Sequence, residues 1–106
     1  MLATEQGEYE VLLVAVARRD RSAFRTLYDL ASPKLYATVL RIVRSKPAAE
    51  EVLQDVFLRI WQKAESFSPD AGPARAWMNS IARNRAIDVL RQKSFVALSG
   101  LSLIHI

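Results

Sequence analysis

The 106-residue chain has no cysteine and a single histidine, His105, one residue from its end. Disulfides, thiolate nucleophiles and cysteine-based zinc sites are therefore excluded. One terminal histidine makes neither a metal cluster nor a Ser/His relay, so no catalytic residue, metal site or cofactor is expected, and the chain does not read as an enzyme. Glycine occurs three times and proline four times, too seldom for a loop-rich or disordered chain. No run approaches the ~20 apolar residues of a membrane span, and Val11 to Ala17 is far too short for one. The first residues carry Glu5, Glu8 and Glu10 in place of the basic n-region of a secretory signal. No membrane insertion and a cytoplasmic setting are expected.

What is present is the composition of a globular domain: 51% hydrophobic, 25% charged and 8% aromatic residues. The length suits one core, since halves of it would be too small to fold without staples. Charge is unevenly placed. Residues 1–70 carry ten basic and ten acidic side chains, whereas residues 71–106 carry five basic ones (Arg75, Arg83, Arg85, Arg91 and Lys93) against Asp88 alone. The whole net charge of +4 thus sits in the last third. An anionic partner such as nucleic acid, or simply a solvated basic face, accounts for that asymmetry.

Apolar spacing is helical throughout and no β-alternation or internal repeat occurs, so an all-α bundle of about four to five helices is expected. Tyr9, Leu12, Leu13, Val16 and Ala17 mark a stripe over Glu8–Arg19. Asp20 or Ser22 can cap a second helix that buries Ala23, Phe24, Leu27, Tyr28 and Ala31. Ser32-Pro33 reads either as the start of a separate helix with Leu35, Tyr36, Val39, Leu40 and Val43 inside, or as a kink in one rod. Lys46-Pro47 opens a helix to about Ala64 carrying Val52, Leu53, Val56, Phe57, Ile60 and Trp61 on one stripe. Ser66–Pro73 is the clear loop, and a last helix is expected from about Pro73 to Lys93. The segment 94–106 turns apolar and uncharged. It reads as a short packed extension or as sequence foreign to the native protein, and neither it nor His105 is given a function.

Two helix faces carry chemistry. On the last helix, Met78, Ala82, Ala86, Val89 and Leu90 form the expected core side. Trp77, Ser80, Asn84, Asp88 and Arg91 lie roughly opposite, flanked by Arg75, Arg83 and Arg85. Asn and Ser suit base edges, Arg suits phosphate and guanine, and Trp77 offers a stacking surface. The bland alternative has Trp77 completing the core beside Ile81 and the arginines keeping the surface soluble. On the preceding helix Glu51, Gln54, Asp55, Leu58 and Gln62 share a side away from the apolar stripe. That face suits a basic partner helix, or is simply solvated.

Three segments, Asp20–Tyr28 (DRSAFRTLY), Ala49–Trp61 (AEEVLQDVFLRIW) and Ala76–Arg91 (AWMNSIARNRAIDVLR), resemble region two of bacterial sigma factors, most closely the extracytoplasmic-function (ECF) subfamily. The similarity covers roughly residues 8–93, taken as one domain. It implies a helical bundle that binds core RNA polymerase and directs it to promoters. Specifically, it implies docking of the Ala49–Trp61 helix on the polymerase clamp helices through Glu51, Gln54, Asp55 and Leu58. It also implies reading of the promoter minus-ten element by Trp77, Ser80, Arg83, Asn84, Arg85, Asp88 and Arg91. A flipped-out non-template base would be held by the Phe67–Ala74 loop, with Phe67, Ser68, Asp70 and Arg75 as its residues.

The resemblance also has two gaps. Nothing matches the family's second helical domain, which reads the minus-thirty-five element, so the chain is expected to be a fragment. Few aromatics line the strand-separation face, Phe67 and Trp77 being the main ones, so melting is expected to depend on base capture. A truncated sigma held by an anti-sigma factor, with no DNA recognition of its own, is the alternative reading.

Overall fold

The computed structural model describes the backbone of residues 5–104 and the side chains of residues 7–93. Four helices, α1 (Glu5–Ala17), α2 (Arg21–Val43), α3 (Lys46–Lys63) and α4 (Ala74–Ile104), account for most of it, and no strand occurs among the described residues. Two short 3-10 turns, Ala64–Ser66 and Pro69–Ala71, lie between α3 and α4. The expected helical periodicity is the one that folds. His105 lies outside the described residues.

Local sequence explains the boundaries. The Asp20 carboxylate accepts the Ala23 N–H at 3.1 Å and starts α2, which satisfies one of the orphan donors of a first turn. Arg44 closes α2 in the left-handed conformation, its N–H donating to the Leu40 carbonyl at 2.8 Å. Ser45 then caps α3, with Pro47 in the first turn where its missing N–H costs nothing. Between α1 and α2 the turn is closed by Arg19, also at positive φ, whose N–H donates to the Val16 carbonyl.

Pro33 does not divide α2. The helix runs through it from Arg21 to Val43, and Pro33 is exposed. An exposed proline loses one intrahelical bond but leaves the freed carbonyl within reach of water. Burial of Leu27, Ala31, Leu35 and Val39 along one continuous stripe across the proline holds the rod together. The other boundary difference is at α4, whose backbone continues eleven residues beyond Lys93 to Ile104. A change from basic to apolar composition is not a helix stop, and no proline follows to make one.

The core is assembled from Tyr9, Leu13 and Val16 of α1, the α2 stripe, Val52, Val56, Phe57 and Ile60 of α3, and Met78, Ala82 and Ala86 of α4. Small alanines on α4 allow it to lie close against both α2 and α3. Two expected core residues are outside. Tyr28 is 38% exposed, with its ring tilted onto Phe57 at 4.7 Å, and Leu90 is 41% exposed one turn beyond Ala86, the last buried residue described on α4.

Candidate nucleic-acid and protein interfaces

At the loop end of the molecule, Phe67 and Trp77 pack against each other with ring centroids 5.5 Å apart and planes inclined by 59°. Both rings are half-buried and packed against the core. Trp77 thus packs at the core edge, and it also lines a cavity. That cavity, about 260 Å³, opens between the loop and the first turns of α4 and is lined by Phe67, Ser68, Gly72, Pro73, Trp77 and Ser80, among others. Gly72 has φ of 143°, with nothing within 4 Å of where a Cβ would be. The requirement for glycine there is therefore conformational and not steric.

Of the four loop residues expected at such a pocket, Phe67 and Ser68 line it. Asp70 and Arg75 do not: Asp70 sits exposed in the second 3-10 turn, and Arg75 turns to a different cleft, between α2 and α4. Below Ser80 on the outer side of α4, the exposed residues Asn84, Asp88 and Arg91 continue the row at helical spacing, with Arg83 exposed beside them.

Arg85 is the exception on that helix. Its guanidinium Nε meets Asp55 of α3, whose Oδ2 is also 3.6 Å from Nε of Arg59. The three side chains are only 24%, 31% and 36% exposed. Arg85 and Asp55, expected on separate DNA-facing and protein-facing surfaces, are therefore turned toward each other as a bridge between α3 and α4. The spacing along each helix places these residues on its flank, and the helix crossing then brings the flanks together. For partly buried charges, loss of one partner costs more than at the surface but less than in a dry core. Asp55→Asn should lower unfolding free energy by about 1–2 kcal/mol in urea denaturation, intermediate between exposed and fully buried pairs. An unchanged midpoint would show the bridge to be idle.

Asp55's withdrawal splits the expected protein-docking face. Glu51 and Asp55 border a cleft against α4 together with Arg85 and Lys93. Gln54 and Leu58 instead line a broader groove, about 690 Å³, across α2 and α3. Its other walls are Arg21, Phe24, Arg25, Tyr28 and Trp61. Those five residues were missed as a surface because Phe24, Tyr28 and Trp61 share a stripe with core positions. The signal available was the matching i, i+4 repeats of Arg21/Arg25 and Phe24/Tyr28. Leu58, 52% exposed, lines the groove together with this aromatic and basic frame.

The groove is braced from one end. Phe24 packs edge-on against both Phe57 and Trp61, at 6.2 and 5.2 Å. Arg19 lies over the Trp61 ring at 5.1 Å, donates to the Trp61 carbonyl, and pairs with Glu65 at 2.9 Å. One guanidinium thereby ties the α1–α2 turn to the end of α3 and to the 3-10 turn from which the loop departs.

Residues 27–96, from within α2 into α4, match the family described as Sigma-70 region 2. The chain belongs to that family. This region 2 domain is 40% identical over 86 residues to the ECF RNA polymerase sigma factor SigK of Mycobacterium sp. strain KMS, covering 81% of the chain and 45% of the relative. It is 36% identical over 87 residues to the SigK of Mycolicibacterium vanbaalenii, covering 82% and 44%. It is 34% identical over 85 residues to that of Mycobacterium tuberculosis strain H37Ra, covering 80% and 46%. The chain spans a little under half the length of these curated relatives, and they place the region 2 domain in the ECF group of sigma factors. Among its described residues no helix is long and apolar enough to cross a membrane, and no group of potential metal ligands occurs.

Proposed function

We propose that this domain acts in transcription initiation by holding core RNA polymerase on one side and unpaired promoter DNA on the other. The polymerase side is the α2–α3 groove, with Leu58 and Gln54 among its lining residues. An exposed leucine framed by Phe24, Tyr28, Trp61, Arg21 and Arg25 has the composition of an interface anchor surrounded by aromatic and guanidinium groups. The clamp helices of the polymerase are the expected occupant. Glu51, one turn before Gln54 on the same helix, borders the neighbouring cleft against α4 and not this groove.

The promoter side is the Phe67–Ser80 cavity and the exposed row Ser80, Asn84, Asp88 and Arg91, with Arg83 beside it. The observation that carries this reading is the cavity itself: an aromatic-walled pocket at the N-terminal end of a helix whose outer face is polar and basic. Opening a duplex costs stacking energy, and capture of an extruded base in the pocket walled by Phe67 and Trp77 offsets part of it. The non-template strand of the minus-ten element is the proposed ligand. Arg85, committed to Asp55, has a positioning role toward α4 in place of direct phosphate contact.

Equilibrium binding of single-stranded non-template DNA, with core polymerase present, separates the two kinds of contact. Asn84→Ala should erase preference among bases while retaining most affinity for unrelated sequences. Arg83→Ala should weaken all sequences alike and flatten the log–log salt slope by about 0.7, the value for one lost phosphate on a single strand. If both variants bind like the wild type, α4 does not read promoter DNA. If core polymerase is not retained by the wild type at all, a role confined to an anti-sigma partner becomes the better account.

A further inference from the structure

The α1–α2 turn closes as a Schellman motif. The Asp20 N–H donates to the Ala15 carbonyl at 3.1 Å, and the Arg19 N–H to the Val16 carbonyl at 2.8 Å. The left-handed position of such a motif usually falls to glycine, because a Cβ is strained there. In this chain it is Arg19, at φ of 68°. Glycine would fit the backbone better, so what arginine adds is its side chain. Its two terminal nitrogens are divided between two segments: Nη1 donates to the Trp61 carbonyl, and Nη2 donates to Oε1 of Glu65 at 2.9 Å. The guanidinium also lies 5.1 Å from the centre of the Trp61 ring, which is itself packed edge-on against Phe24.

Trp61 is the anchored end of this arrangement, and Glu65 is the end from which the loop departs. Glu65 belongs to the 3-10 turn Ala64–Ser66, two residues before Phe67, whose N–H donates back to the Ala64 carbonyl at 3.1 Å. We propose that Arg19 is a positioning residue for base capture, pinning the start of the loop to the end of α3 and so holding Phe67 in place as a wall of the pocket. The inference rests on the capture reading above and adds to it a residue from outside the pocket. Arg19 does not line that cavity, so it acts on an extruded base only through Phe67. Exposed ion pairs contribute little stability by themselves, and Arg19 and Glu65 are 42% and 71% exposed. Three contacts from one planar guanidinium nevertheless fix a direction, and direction is what the wall of a binding site needs.

The test is a double-mutant cycle between Arg19→Gly and Phe67→Ala. It is read by fluorescence anisotropy of a labelled single-stranded 12-mer, with the chain saturated by core polymerase and several salt concentrations sampled. Arg19→Gly is expected to weaken binding about fivefold, within the range for coupled neighbours, and to leave the log–log salt slope unchanged. Its melting temperature should stay within about 4 °C of the wild type, since glycine relieves the left-handed backbone while the clamp is lost. In the Phe67→Ala background the same substitution should have no further effect. Glu65→Ala should also weaken binding, by about twofold, although removal of an anion alone would strengthen it. Wild-type affinity in Arg19→Gly, with Phe67→Ala still deficient, would overturn the positioning role and leave base capture standing. A slope lower by about 0.7, with losses that add to those of Phe67→Ala, would overturn it in favour of a direct phosphate contact by Arg19. Wild-type affinity in Phe67→Ala would overturn base capture itself. If Arg19→Gly melts far below the wild type, Glu65→Ala decides alone, and binding at or above wild-type strength in that variant would overturn the proposal.

Discussion

Leu58→Arg should abolish retention of this domain on core RNA polymerase, weakening it by about 30-fold or more, while leaving thermal unfolding nearly unchanged. The size follows from losing a central interface anchor worth at least ~2 kcal/mol. The direction follows from placing a third guanidinium beside Arg21 and Arg25 in a groove that must otherwise receive a partner's side chains. Stability is spared because Leu58 is already more than half exposed and contributes little to the core. A pull-down of core enzyme with the variant, accompanied by a melting curve, measures both quantities. Gln54→Ala should have a much smaller effect, since an exposed amide at the wall has water as an alternative partner. Retention of Leu58→Arg at wild-type strength would move the docking surface elsewhere, with the Glu51 cleft the next site to test.

Phe67→Ala carries the second large effect. Stacking of a base on an aromatic ring is worth about 1–3 kcal/mol, so capture of an unpaired promoter base should weaken by about tenfold or more. The loss should appear for single-stranded non-template DNA and be nearly absent for duplex, because only an extruded base enters the pocket. Phe67 is half-buried against Trp77, so some stability is lost as well, and Phe67→Leu distinguishes the contributions. Leucine retains much of the packing but offers no flat face. Binding by Phe67→Leu should therefore resemble Phe67→Ala, although its melting temperature should approach the wild type.

Much of this architecture is legible in the sequence because helix packing writes a period of 3.6 into apolar positions. Tyr9, Leu13 and Val16, or Met78, Ala82 and Ala86, are found inside for that reason. Pro33 was ambiguous because proline at a helix start and proline within a rod use the same φ, and only the neighbouring stripe of α2 decides between them. Tyr28 and Leu90 show the limit of periodicity. Position on a stripe predicts which side a residue faces, but not whether a neighbouring helix reaches far enough to cover it. Leu90 lies one turn beyond Ala86, the last buried residue described on α4, and Tyr28 lines the α2–α3 groove.

The candidate sites divide along the same line. Ser80, Arg83, Asn84, Asp88 and Arg91 are exposed on α4, as one helix's geometry alone requires. Arg85 and Asp55 could not be paired from sequence, since their meeting depends on how α3 crosses α4. The same is true of the α2–α3 groove, which takes Arg21 and Phe24 from one helix and Leu58 and Trp61 from another. Arg75 illustrates the point at the loop: adjacent in sequence to the capture segment, it projects into the neighbouring cleft instead.

The two-surface account is tested most directly by site-specific photocrosslinking in an assembled polymerase–promoter complex. A photoreactive amino acid at Ser80, on the wall of the aromatic cavity, should crosslink the non-template strand near the minus-ten element. The same group at Leu58 should crosslink core RNA polymerase and no DNA. Crosslinking of Ser80 to polymerase alone, or of Leu58 to DNA, would contradict the assignment of these two surfaces.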